Sequence, residues 1–152
     1  MRLFTVFMCF LAMPAWAEIV VKDAHSFATV PASRSAAVFF TIENKGANSD
    51  VLKKAQVPGD IAAKTEIHTN IIEDGIIRMR PVENVQVKAG KNVVFDPSGL
   101  HIMLVNMERS LKSDESFPLI LTFEKYGEIT TNVSVHSRSN KQENNPHQHH
   151  HH

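Results

Sequence analysis

Pro118-Leu119-Ile120-Leu121-Thr122-Phe123-Glu124-Lys125-Tyr126-Gly127-Glu128-Ile129-Thr130-Thr131-Asn132-Val133-Ser134-Val135 reads as a β-hairpin. Leu119, Leu121 and Phe123 alternate with Ile120, Thr122 and Glu124. Beyond the Tyr126-Gly127 turn, Ile129, Thr131, Val133 and Val135 alternate with smaller or polar residues. Successive side chains of a strand point to opposite faces, so each arm has one face to bury. A lone hairpin has nothing to bury it against.

The rest of the chain supplies that partner. Short apolar runs punctuated by Gly, Pro, Asn and Asp recur throughout, and none sustains a 3.6-residue period long enough for a major helix. Strands are expected at 19–24, 36–43, 51–57, 63–69, 76–82, 92–95, 101–107, 118–124 and 128–135. Turns are expected at Asn44-Lys45-Gly46, Pro58-Gly59-Asp60, Asp74-Gly75, Ala89-Gly90-Lys91 and Asp96-Pro97-Ser98-Gly99. Eight or nine strands in one domain imply an all-β sandwich: two antiparallel sheets about 10 Å apart, joined by Greek-key connections.

The two ends of the chain differ from this middle. Arg2, an apolar run from Leu3 to Met13, Pro14 and the small-x-small pattern Ala15-Trp16-Ala17 form a secretory signal peptide over 1–17. The run is shorter than the roughly 20 residues needed to span a bilayer, and no later segment reads as a membrane anchor. Cys9, the only cysteine, sits inside that run and leaves with it. The folded domain is expected over 18–136. From 137 to 152 the composition turns to Ser, Asn, Lys, Gln and Glu and ends in His147 and His149 to His152, a His-rich tail that cannot supply core and is expected to be disordered. Charge is balanced, with 16 Lys and Arg against 16 Asp and Glu. The basic residues are scattered without an aromatic platform, so no nucleic-acid partner is indicated.

Chemistry is concentrated in four residues: His68, Met79, His101 and Met103. Imidazole and thioether are good ligands for Cu(I), whose softness favours sulfur and whose full d shell imposes little geometry. Asp74-Gly75 is a two-residue turn signal of type I′, which needs positive φ at both positions. It sets Glu73 opposite Ile76, Ile72 opposite Ile77 and Asn70 opposite Met79. His68 then becomes the diagonal neighbour of Met79 on one face, about 7 to 8 Å away at the backbone. His101 and Met103, one residue apart, also share a face. Zinc would gain little from a thioether, and a blue-copper centre needs a thiolate that the mature chain lacks. Met107 shares the parity of Met103 but is expected in the core or at a partner contact. His25 and His136 are expected as surface or capping residues.

The spacing of these four, a histidine, ten residues, a methionine, twenty-one residues and then His-x-Met, is similar to that of the PCuAC periplasmic copper chaperones. The resemblance runs through Thr41-Ile42-Glu43-Asn44-Lys45-Gly46, Glu66-Ile67-His68, Asp74-Gly75, Arg78-Met79-Arg80-Pro81-Val82, Gly99-Leu100-His101-Ile102-Met103-Leu104 and Leu121-Thr122-Phe123-Glu124. It departs at Thr69, where some members carry methionine, and at His25, where tryptophan would be more familiar. The resemblance implies a cupredoxin-like β-sandwich and a non-enzymatic chaperone that holds Cu(I) and passes it toward the CuA centre of cytochrome c oxidase, alongside Sco-type proteins. A copper storage or resistance protein, and a metal-independent β-sandwich interaction module, are the alternatives. The imidazoles of the tail could separately collect Cu(II).

Overall fold

The structure is a computed structural model that describes residues 18–138. The expected signal peptide and the histidines of the expected tail lie outside the described residues. Among the described residues the chain is all-β, with ten strands and no helix, and hence no helix long and apolar enough to cross a membrane. They are β1 (Ile19–Phe27), β2 (Ser35–Asn44), β3 (Asp50–Gln56), β4 (Ala62–Glu73), β5 (Ile76–Pro81), β6 (Val85–Val87), β7 (Asn92–Phe95), β8 (His101–Met107), β9 (Ser116–Phe123) and β10 (Gly127–His136).

The hydrogen-bonded order is β5-β4-β8-β2-β1-β10-β9-β3-β6, with β7 paired to β2 beside this path. The path folds over on itself. Near its ends β3 meets β4, where the Thr65 hydroxyl donates to the Ala55 carbonyl, and the inward faces enclose one core. Phe40, Ile42, Leu52, Phe95, Ile102, Leu104, Leu119 and Leu121 are buried there. The Phe40 and Phe95 rings stack at 4.3 Å. Leu119, Leu121, Phe123, Val133 and Val135, the inward set of the last hairpin, are all buried, and their register is antiparallel from Gly127 opposite Phe123 to Ser134 opposite Ser116.

Three features differ from the sequence expectation. Ten strands form rather than eight or nine, because Val85–Val87 adds a short strand against β3. Asn44 makes this possible: its buried amide donates to the Val87 carbonyl at 3.1 Å and the Asn48 carbonyl at 2.8 Å. The pairing is also not wholly antiparallel, since β1 runs parallel to β10. Finally, β1 continues past Ala24 to Phe27 through a register shift between Lys22 and His25. Asp23 takes φ 55° there. The extra residue of a β-bulge reverses which side chains face inward: Ile19 and Val21 pack on the core before it, Ala24 and Ser26 are buried after it, and His25 is turned outward to lie opposite Phe39.

Candidate metal centre

β5, β4 and β8 are the first three strands of the path, and their outer face carries all four candidate ligands. Alternation explains this. Ile67, Ile102 and Leu104 point into the core, at 6 %, 0 % and 0 % exposure, so His68, His101 and Met103 point the other way. The Asp74-Gly75 turn forms as expected, with φ 52° and 75°, and the hairpin register pairs Asn70 with Met79 and His68 with Pro81. His68 and Met79 are therefore diagonal neighbours. On its other side β4 pairs with β8, placing His68 directly opposite His101 and Glu66 opposite Met103.

His68 and His101 face each other with ring centroids 6.0 Å apart. Two imidazoles that share one ion hold it about 2 Å from each nitrogen, which puts their centroids about 4.5 to 6 Å apart as the angle at the metal opens from a right angle. Each ring is oriented by a hydrogen bond through one nitrogen, leaving the other for a ligand. His68 Nε2–H donates to Glu66 Oε2 at 2.8 Å, and His101 Nδ1–H donates to the Gly99 carbonyl at 3.0 Å. His68 Nδ1 is buried and has no hydrogen-bond partner among the described residues. A buried ring nitrogen without a partner is costly, and a metal ion would satisfy it. Carboxylate or carbonyl acceptors behind metal-binding imidazoles are the usual device for fixing tautomer and ring angle.

The loop before His101 is also braced. Asp96 Oδ1 accepts from the Ser98 hydroxyl at 2.6 Å, the Ser98 N–H at 2.7 Å and the Gly99 N–H at 3.0 Å. The Ser98 hydroxyl, then these N–H groups, hold the Asp96 carboxyl below its usual range. The Asn70 amide donates to the Pro97 carbonyl at 2.9 Å, tying β4 to that loop. Behind His68, Glu66 is held below the ordinary carboxylate range, first by its bond to Lys64 and then by His68, and so remains an acceptor.

The four positions differ in exposure. His101 is 3 % exposed, whereas Met79, on the edge strand, is 49 % exposed. Among the described residues no group of three or more His, Cys, Asp or Glu could hold an ion, so the thioethers of Met79 and Met103, on the same outer face, are the candidates for further donors beside the two imidazoles. Met107 is in the core. Two contributors escaped the sequence reading. Glu66 could have been found from its same-face spacing to His68. Phe39, whose ring lies 6.5 Å from that of His101, carried no local signal.

The LpqE-like family, described as "Putative lipoprotein LpqE-like", matches residues 19–135. No curated protein matches the chain. Solved structures similar to it include the copper-bound PCuAC domain from PmoF2, at 18 % identity and TM-score 0.65 over 79 % of this chain and 93 % of that one. The apo form of DR1885 from Deinococcus radiodurans is similar at 21 % identity and TM-score 0.62, over 91 % and 94 %. The CuI form of DR1885 is similar at 21 % identity and TM-score 0.55, over 85 % and 83 %. At these identities the likeness is one of fold, an all-β sandwich.

Proposed function

The chain belongs to the LpqE-like family, and on that footing we propose that it is a periplasmic copper chaperone that carries one Cu(I) on His68, Met79, His101 and Met103. The observation that carries this reading is the buried, unpartnered Nδ1 of His68, facing a His101 ring whose own Nδ1 is occupied by Gly99. His68 would bind through Nδ1 and His101 through Nε2, with thioethers from the edge strand and from β8. Two copper-bound relatives in fold, the PmoF2 domain and CuI-DR1885, support the choice of metal.

Exposure of Met79 suits a carrier. An acceptor's ligand must reach the ion before all four donors leave, and the donor on the open edge is the one that can yield first. The acceptor would be a Sco-type protein or the CuA subunit of cytochrome c oxidase, and the role is carriage rather than catalysis. The family description names lipoproteins, which fits export; here the single cysteine, Cys9, lies within the apolar leader. The histidines of the tail would hold Cu(II) separately.

Anaerobic Cu(I) titration tests the site, with X-ray absorption to count sulfur and nitrogen neighbours. Met79→Leu and His101→Ala should each weaken binding. Because Met79 is on the surface, a loss there cannot be ascribed to a damaged core. Unchanged affinity in both variants refutes the assignment.

A further inference from the structure

The outer face of the sheet carries aromatic rings well beyond the four residues above. From the edge inward they run His68, His101, Phe39, His25 and His136, on β4, β8, β2, β1 and β10. His101 and Phe39 are 6.5 Å apart, Phe39 and His25 5.6 Å, and His25 and His136 5.5 Å. The row therefore begins and ends in a pair of imidazoles, with Phe39 between the pairs.

We propose that His25 and His136 form a second metal site, built on imidazole nitrogen without sulfur, that takes a divalent late first-row ion, Cu(II) foremost. Their centroid separation lies within the span of about 4.5 to 6 Å that two rings sharing one ion adopt. His25 is prepared for it: Nδ1–H donates to the Asp23 carbonyl at 2.7 Å, so Nε2 keeps its lone pair, as in metal-binding imidazoles held by a backbone acceptor. Phe27 packs edge-on against the His25 ring at 5.8 Å, which limits its rotation. The ring is on this face only because of the bulge at Asp23, a residue with φ 55°. Bulges commonly re-aim a side chain in this way.

His136 ends β10 and is exposed, so water or an incoming ligand could complete the coordination. Nitrogen donors suit Cu(II), which forms the strongest complexes of the divalent first-row ions, whereas thioethers select Cu(I). The two sites would thus separate the oxidation states on one surface. This inference does not depend on the Cu(I) reading.

The test uses the full chain carrying His147→Asn, His149→Asn, His150→Asn, His151→Asn and His152→Asn, titrated with cupric sulfate in air and followed by electron paramagnetic resonance. One Cu(II) with nitrogen hyperfine structure is expected. His25→Phe, which keeps an aromatic ring against Phe39, and His136→Gln, at an exposed position, should each weaken it at least about tenfold. Retention of the signal in either variant overturns the proposal. So does the absence of any nitrogen-bound Cu(II) in the starting protein. Failure of Cu(I) binding in Met79→Leu would bear only on the other site.

Discussion

Glu66→Ala removes the acceptor behind His68 without touching a proposed ligand. In the native protein the carboxylate accepts a hydrogen bond from Nε2–H at 2.8 Å, which fixes the tautomer that leaves Nδ1 bare and stops the ring from turning. Without it, the neutral ring can carry its proton on Nδ1 or rotate, and binding must first restore the productive form. Losing such a partner costs about 10- to 100-fold in metal affinity, or about 1.4 to 2.7 kcal/mol. Glu66→Gln separates geometry from charge: its amide oxygen can still accept from Nε2, so it should retain more of the affinity than alanine does. The assay is anaerobic competition for Cu(I) against a chromogenic chelator. Glu66 is half-buried on the outer face, so unfolding should barely change in either variant. Native affinity in Glu66→Ala, alongside weakened binding in Met79→Leu, would refute the claim that His68 must be held in one tautomer to bind.

Three further outcomes test the scaffold. Asp50 is 5 % exposed and accepts the N–H groups of Val51, Lys125 and Tyr126 at 2.7, 2.9 and 2.8 Å. Burial alone would raise its pKa, but these bonds outweigh it and hold the carboxyl below its usual range. Asp50→Ala should therefore cost about 1 to 3 kcal/mol in urea unfolding at neutral pH. The native-state pKa is the depressed one, so this stabilisation is complete above the ordinary carboxylate value of about 4 and fades as pH falls through the lower folded value. The gap between wild type and variant should narrow on acidification. Phe40→Ala empties one half of the stack with Phe95 and should cost about 3 to 5 kcal/mol, read from the same unfolding curves. Gly75→Ala forces a Cβ into φ 75°, costing about 1 to 2 kcal/mol locally; Cu(I) affinity should fall with it, since the turn sets the Met79 register.

The sequence carried the hairpins and withheld their arrangement, for a physical reason. Asp74-Gly75 specifies its own φ values and hence the register of β4 against β5, so the His68–Met79 diagonal was readable from local chemistry. That β4 also pairs with β8, bringing His68 opposite His101, follows from closure of the whole sheet, and no residue near either histidine announces it. The resemblance in spacing had to stand in for that contact. Val85–Val87 was missed because a three-residue strand has no period to detect; its place is fixed by β3 on one side and by the buried Asn44 amide. The bulge at Asp23 was missed because Lys22-Asp23-Ala24 contains neither glycine nor proline, yet it alone turns His25 from the core to the outer face.

These strands separate core residues from the proposed ligands by direction alone. On β4 and β8, Ile67, Ile102 and Leu104 bury themselves against the opposite layer, while His68, His101 and Met103 stand on the reverse of the same backbone. A change of ligand therefore need not open a cavity, and a change in the core need not move a donor unless the strand itself shifts. His101 is the exception. At 3 % exposure, between His68 and Phe39, it packs as well as lining the proposed site, so His101→Ala should lower both copper affinity and the unfolding midpoint, whereas Met79→Leu should lower affinity alone. Measured side by side, equal destabilisation by the two substitutions would show that the outer face is not independent of the core.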